Sequence, residues 1–432
     1  MSNLAENSRI AIIGSGISGL ACGYFLADHH QIKLYEKNNY LGGHSNTVNI
    51  NYDNREIAVD TGFIVFNFQT YPNLVNFFQL LKIEIEKSNM SFAVKIDNGK
   101  LEYAGTSLSG IFAQKKNYLD FKFYQMLYDI IKFNKKAIKI LDENHDENYR
   151  LIDFLNDLKM KDYFKNYYLL PMASAIWSSP IEKIIDYPVK SFINFFNNHG
   201  LLSVNNQPQW YTVKNGSRQY VQKIANKFSD KISLNDQVKK IYLNQQKKWI
   251  VESEKSQETF DKVILACHSD QALAMLGKAN DNQRDLLANI KYQENIAILH
   301  KDQSVMPKAR KAWASWVYSS NNQSKNILSV SYWMNNLQNI DNNFPLFVTL
   351  NPNQEINNKD IFAKIQYHHP VFDNNALRAQ KKLSEIQGID NLYFCGAYHG
   401  YGFHEDGLNS AIKVLNKMQI KIPWLNNKEI SN

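Results

Sequence analysis

Residues 9–28, RIAIIGSGISGLACGYFLAD, leave this chain few folds to choose from. An apolar run ends at Gly14, and Ile17, Leu20, Ala21, Tyr24 and Phe25 then recur at helical spacing. A buried parallel strand, a tight turn and a helix are expected. Gly14, Gly16 and Gly19 make GxGxxG in that context, with Ser15, Ile17 and Ser18 between them. The first glycine permits the turn, the second lets a pyrophosphate approach the backbone, and the third lets helix pack on strand. Unpaired N–H groups at the helix start then face the phosphate charge. A second strand, QIKLYEK, ends at Glu36 and Lys37, where a carboxylate is placed to hold a ribose diol.

A chain of 432 residues with 44% apolar content can bury a large core, and more than one domain is expected. The net charge of +8 favours an anionic partner: a phosphate-bearing cofactor, an acidic substrate or a membrane surface. No nucleic-acid recognition motif is found. Cys22, Cys267 and Cys395 form no CxxC pair, which suits buried free thiols in a reducing cytoplasm. The opening MSNLAENSRIAIIGSG lacks the features of a signal peptide. No apolar run approaches the roughly 18 residues that span a bilayer. The expectation is a cytoplasmic protein with no obligate protein partner, the inner-membrane surface being the alternative place of contact.

After Glu36 comes LGGHSNTV, with Gly42, Gly43 and His44, and then EIAVDTGFIVF, broken at Thr61 and Gly62. A ligand longer than NAD, crossing the sheet edge, needs such extra turns because backbone must approach its far end. GSGISGL…YEKNNYLGGHSNTV resembles the start of flavin-dependent amine oxidases and phytoene-desaturase-like enzymes, which are FAD proteins. The runs AVDTGFIVFN, LEYAGTSLSG, LLPMASAIWSSP, FFNNHGLLS, VILACHSDQAL, YHHPVF and FCGAYHGYGFHEDG resemble a bacterial group of FAD-dependent oxidoreductases. That group is similar to the flavoprotein-like portion of plant cyclopropane-fatty-acid synthases, and the likeness runs from near residue 9 to near residue 415. It implies an α/β fold: a Rossmann-like FAD-binding domain with an inserted substrate domain of mixed sheet and helical cap. It also implies that the strand bearing Val238 passes the adenine. Gly42, Gly43, His44, Thr61, Gly62 and the turn from Gly396 to Gly407 and Leu408 would approach the rest of the cofactor. Two departures weaken amine oxidation in particular: His44 stands where amine oxidases commonly have Arg, and their flavin-facing lysine is not identified.

The segments 1–70, 206–290 and 385–425 read as a discontinuous FAD-binding domain, and 71–205 with 291–384 as a substrate domain. Residues 70–205 read as a mostly helical cap, with helical periodicity around 118–140 and 151–176. The runs IAILH, AWASWVY, ILSVSYWM, LFVTL and KIQYHHPVF read as the strands of the substrate-domain sheet. Residues 111–140 carry seven lysines among aromatic and aliphatic residues. Two readings compete for this stretch: contact with an anionic membrane, or, the preferred one, a cap helix whose outer face is solvated lysine.

A flavin supplies redox chemistry itself, so no hydrolytic triad or metal cluster is required. His399, His404, Glu405 and Asp406 in HGYGFHEDG show no regular ligand spacing, so no metal is expected. Glu405 and Asp406 read as helix N-cap groups. The substrate-side candidates are Tyr398, His399, Tyr401 and His404, with Tyr367, His368 and His369 from YHHP. Tyr401, His404, Tyr398 and His368 are preferred for catalysis; by resemblance, Tyr401 holds the place of an aromatic residue beside the flavin. The expected substrate is a small molecule, lipid-like and apolar. The rivals are an amine oxidase and a lipid carrier that has lost its cofactor.

Overall fold

The computed structural model describes residues 7–142, 149–177, 181–198, 200–202, 207–320 and 329–425. Residues 178–180, 199, 203, 327 and 328, which belong to three of the runs quoted above, lie outside these described residues. The first strand, β1 (Arg9–Ile13), and the helix α1 (Ile17–Leu26) form around the glycine turn as expected. β2 (Gln31–Tyr35) pairs parallel to β1. The strand Lys262–Leu265 pairs on the other side of β1, and Ile232–Ser233 and Leu392–Phe394 complete a five-stranded parallel sheet.

Both faces of this sheet are covered, which is why β1 is a continuous apolar run and not an alternating one. Ile10 and Ile12 enter one core cluster with α1, while Ala11 and Ile13 enter another on the opposite face. The first cluster also takes the last helix, His404–Lys417, through Leu408, Ala411 and Leu415. The second contains Val251 and Trp249 of an antiparallel sheet formed by Val238–Leu243, Trp249–Ser253 and Gln257–Phe260. The strands of the parallel sheet come from the segments 1–70, 206–290 and 385–425.

A seven-stranded sheet has the order Ile361–Val371, Lys291–His300, Phe347–Leu350, Ser329–Trp333, Trp316–Ser320, Phe92–Ile96, Leu101–Ala104. Its last two strands, like Ile85–Ser88, come from a region expected to be mostly helical. The physical reason is the shortness of these runs: periodicity cannot separate a four- or five-residue buried strand from a piece of buried helix. Phe92–Ile96 is a strand because it pairs, in parallel, with Trp316–Ser320 far downstream. Ile85–Ser88 joins Val65–Asn67 and Trp210–Val213 in a small sheet that ties the two sets of segments together.

Beyond these strands the cap is helical. The helix Phe121–Ile140 forms on the expected periodicity, started by Asp120, whose carboxylate accepts from Lys122 N. The second periodic stretch breaks at Lys159, which takes the left-handed conformation with φ +53°, and restarts at Asp162. Phe123, Phe133, Phe164, Trp177 and Phe192 fill the cap's core. The outer face of Phe121–Ile140 corrects the preferred expectation, for it is not lysine alone: Phe121, Tyr124, Tyr128, Ile131 and Ile138 are exposed. No described helix is long and apolar enough to cross a membrane.

Candidate functional site

The strands of the parallel sheet all deliver their C-terminal ends to one edge, where ligands of open α/β sheets bind. At that edge the three glycines of the first turn divide their work. A Cβ on Gly14 would lie 2.5 Å from Ala266 O, and one on Gly19 would lie 1.9 Å from Gly14 O. Gly14 also needs its freedom of conformation, with φ +104°. Gly16 differs on both counts. Its backbone, φ −64° and ψ 177°, suits any residue, and a Cβ there would meet nothing within 4 Å. The space above Gly16 is therefore kept open at the start of α1, where backbone N–H groups are unpaired. Gly43 borders the same space, since a Cβ on it would lie 3.4 Å from Gly16 Cα.

Glu36 sits at the end of β2 and is buried. Its Oε2 accepts from Ser15 N at 3.0 Å and Ser15 Oγ at 2.6 Å, and its Oε1 accepts from Asn38 N at 2.8 Å. The carboxylate is thus fixed beside the open space by the turn itself, with lone pairs left over for a diol. Lys37 is exposed next to it. The Val238 side chain belongs to the core with Tyr35, and its strand is tied to the edge through Asp236 N, which donates to Glu36 O. An open cradle, a helix N-terminus and a buried carboxylate are the parts a dinucleotide requires, so these residues fit such a group.

The loop after Gly43 leads to a second group of side chains. Phe63 N donates to His44 O, and Thr61 N to Asn46 O, which holds the loop against residues 61–63. Gly62 has no side chain because His44 O would lie 2.3 Å from its Cβ. His44 stacks on Tyr367, with ring centroids 4.8 Å apart, and lies 5.3 Å from His369 and 6.4 Å from His268. His268 stacks on Tyr292 at 4.4 Å and approaches His368 at 6.3 Å. Tyr367 shares its hydroxyl with Thr61 Oγ1 at 2.9 Å. Asn295 Nδ2 lies 3.0 Å from His369 Nδ1. Burial, reinforced by the neighbouring imidazoles, pushes the pKa of His44 down to about 4 and those of His268 and His369 to about 3. At neutral pH these three rings are uncharged.

His404 is placed with a different set. Its Nε2 lies 2.8 Å from Ser45 Oγ and 2.6 Å from Tyr220 Oη, and its ring stacks on Phe63 at 3.9 Å. Ser45 Oγ and Tyr220 Oη also bond to each other. Burial, with His44 nearby, lowers the His404 pKa to about 3. A cleft of about 480 Å³ lies between this loop and the helix Arg218–Ala225, with Arg218 among its lining residues.

The remaining candidates of the last turn face elsewhere. Tyr401 and Phe403 pack on Phe195 of the cap. Tyr398 is buried in the core with Phe394, and among the described residues neither its hydroxyl nor His399 Nε2 has a hydrogen-bond partner. Asp406 accepts from Tyr401 N at 3.0 Å and Phe403 N at 2.9 Å, and so caps its own turn. Glu405 reaches instead to Asn73 N and Leu74 N and caps the helix Pro72–Leu80. Gly407 meets Ile17 and Ser18 of α1, and Ser18 Oγ donates to Gly407 O at 2.8 Å; Leu408 is in the core. Gly396 N donates to Ser410 Oγ. The four residues preferred for catalysis therefore occupy separate places: His368 in the His44 group, His404 with Ser45, Tyr401 against the cap and Tyr398 in the core.

His268, Tyr292, Asn295, Ser45, Tyr220 and Phe63 were not singled out from the sequence. One signal pointed to His268: it follows the apolar strand Lys262–Leu265 at the same sheet edge as the glycine turn. Among the described residues no group of three or more His, Cys, Asp or Glu side chains is placed to hold a metal ion.

Residues 12–81 match a family described as a NAD(P)-binding Rossmann-like domain. The fold is Rossmann-like. A 15-cis-phytoene desaturase of Synechococcus elongatus is 39% identical over 77 residues, 18% of this chain and 15% of the desaturase. The chain thus matches less than a fifth of that relative's length. Across the whole chain, the fold is similar to that of a CLA-producing fatty acid isomerase from P. acnes. The TM-score is 0.67 at 14% identity, covering 95% of this chain and 98% of the isomerase. The fold is similar to the same degree to putrescine oxidase in its putrescine-bound structure, with TM-score 0.68 at 11% identity, covering 96% of this chain and 99% of the oxidase. Sheet, inserted strands and helical cap are thus one shared architecture.

Proposed function

We propose that this protein is an FAD-dependent oxidoreductase that transfers a hydride between a substrate carbon and flavin N5, with an apolar, acyl-lipid-like substrate. The observation that carries this reading is the continuity of the site. From the open space over Gly16 and Gly43, beside buried Glu36, the chain runs directly into His44, whose ring belongs to a group of uncharged imidazoles and phenols. Bound FAD supplies the hydride chemistry, so the chain's own residues bind, orient and exclude water. Glu36 holds ribose hydroxyls, and the start of α1 faces the pyrophosphate. His44, Tyr367, His369, His268 and Tyr292 close off solvent. His404 Nε2, shared between Ser45 Oγ and Tyr220 Oη, holds a proton or passes it within that trio.

The choice of substrate follows from charge. Burial raises the Asp60 and Asp406 pKa values to about 6, yet both Asp60 oxygens accept from Ser217 N, and Asp406 Oδ2 accepts from Tyr401 N and Phe403 N. Glu405 is likewise spent on two backbone N–H groups. An ammonium bound here would compete with these N–H donors for its counter-charge, and imperfectly paired buried charges are costly. A neutral hydrocarbon segment meets no such penalty. The fold shared with the fatty acid isomerase agrees with this choice, and the fold shared with putrescine oxidase supports amine oxidation as the second reading.

Anaerobic mixing of the FAD-loaded protein with acyl lipids or with polyamines tests the assignment through the flavin's absorbance. Bleaching by an unsaturated acyl lipid is expected. Bleaching by amines alone, with peroxide released in air, would overturn the substrate choice in favour of amine oxidation. Protein that takes up no flavin would overturn the enzyme reading in favour of a carrier.

A further inference from the structure

The helix Phe121–Ile140 is apolar on two sides. Phe123, Met126, Phe133, Ala137 and Ile140 form the inward stripe and are buried in the cap. Phe121, Tyr124, Tyr128, Ile131 and Ile138 recur every three, four or seven residues on the opposite side, and all five are exposed. At 3.6 residues per turn these five share one stripe. The preceding segment adds Leu108 and Leu119, with 77% and 93% of their surface exposed, before Phe121 at 81%. Phe112 stacks on Tyr118 at 4.4 Å and approaches Tyr124 at 5.8 Å, so loop and helix present one surface. Single exposed apolar residues need no explanation, but a contiguous set of this size marks an interaction surface.

Its charge selects the occupant. Lys135, Lys136 and Lys139 are exposed on and beside the same stripe, and among the described residues none of them has a carboxylate partner. Within the helix and at its start the acidic residues are turned elsewhere, Asp129 being buried and Asp120 capping the first turn, while Asp142 is exposed just beyond the helix end. A second copy docked face to face would set lysines against lysines. A bilayer with anionic headgroups satisfies both features, taking the apolar side chains into its interface while the lysines reach up to phosphate.

We infer that this outer face of the cap, from Leu108 through Ile138, docks on an anionic lipid bilayer, lying in its interface without crossing it. The surface stands apart from the cofactor site and does not depend on the chemistry proposed for it. Tyr401 and Phe403 of the last turn pack against the same cap core, so the docked face and that turn share one packed unit.

Co-sedimentation of the full chain with phosphatidylcholine vesicles, with and without phosphatidylglycerol, tests the inference. Binding is expected to the anionic vesicles, to weaken as salt rises, and to be absent with phosphatidylcholine alone. Leu119→Asp combined with Phe121→Asp, and separately Lys135→Glu combined with Lys136→Glu, should each weaken binding on the order of ten-fold. These side chains are exposed, so the thermal midpoint should not move; Tyr128→Asp serves as the second apolar variant. Failure to bind anionic vesicles, or undiminished binding by the apolar variants, would overturn the inference. So would a wild-type dimer that those variants convert to monomer, because the face would then belong to a second copy.

Discussion

In the first glycine turn a Cβ on Gly16 would meet nothing within 4 Å. In the last turn a Cβ on Gly400 would strike the Asp406 carboxylate at 2.2 Å, and one on Gly407 would meet Ile17 at 2.9 Å. The two turns touch, through Ser18 Oγ and Gly407 O, yet only the first leaves room for something the chain does not itself supply. The last turn fills its own space: Asp406 caps it, Ser410 bonds Gly396 N, and Gln380 Nε2 donates to Tyr398 O and Gly400 O. A glycine-rich turn is therefore no guide to a ligand by itself. What distinguishes the two is whether the absent side chain's volume is occupied by protein.

The sharpest way to break this contrast lies within the first turn. Gly16→Val should cost at least a hundred-fold in dinucleotide affinity, on the order of what about 3 kcal/mol of lost binding produces, while the thermal midpoint of the cofactor-free protein stays put. Calorimetric titration and melting curves read the two effects separately. Gly19→Ala should do the reverse. Its Cβ would meet backbone at 1.9 Å, so a loss of about 3 kcal/mol or more in unfolding free energy is expected, measured by denaturant titration. If the two variants behave alike, the division of labour between the glycines is mistaken.

A smaller effect is expected at Glu36. Glu36→Gln keeps the shape that Ser15 and Asn38 hold but removes the charge, and should weaken dinucleotide binding about ten- to a hundred-fold. Equal affinity in the variant would place the ribose elsewhere.

A separate effect concerns pH and compares the buried histidines with the carboxylates. His44, His268, His369, His399 and His404 have pKa values pushed down to between about 3 and about 4. As pH falls from about 6.5, the unfolded chain takes up protons on these residues and the folded protein does not, so stability is lost toward about pH 4. Asp60 and Asp406, raised to about 6, act in the opposite sense over that window but are fewer. The thermal midpoint should thus fall steadily from about pH 7 to about pH 4. A midpoint that rises on acidification would mean that the carboxylates dominate and the imidazoles are better solvated than their burial implies.

How much of this was legible in the sequence depended on chain distance. Gly14 to Glu36 could be read because strand, turn, helix and carboxylate lie within one local unit whose spacing carries the geometry. The longer apolar runs between residues 291 and 372 were legible as strands too, and they do pair, in the sheet from Lys291–His300 to Ile361–Val371. The strands Phe92–Ile96 and Leu101–Ala104 were hidden because only a distant partner distinguishes them from cap helix. The same holds for the site. Ser45, Tyr220 and His404 meet across 175 to 359 positions, and no spacing in the chain announces that meeting. Tyr398 and His404 looked equivalent as aromatic and basic members of one turn. A 3-10 turn at Ala397–His399 sends the first into the core, and the helix start carries the second to Ser45.

Everything proposed for the site depends on the space over Gly16 and Gly43 being built for FAD. Equilibrium titration of the cofactor-free chain with FAD, followed by flavin fluorescence and by thermal midpoint, tests this most directly. Saturable binding is expected, raising the midpoint of the wild-type protein and lost in Gly16→Val. A wild-type chain that binds no FAD, or a Gly16→Val variant that binds it as tightly, would contradict it.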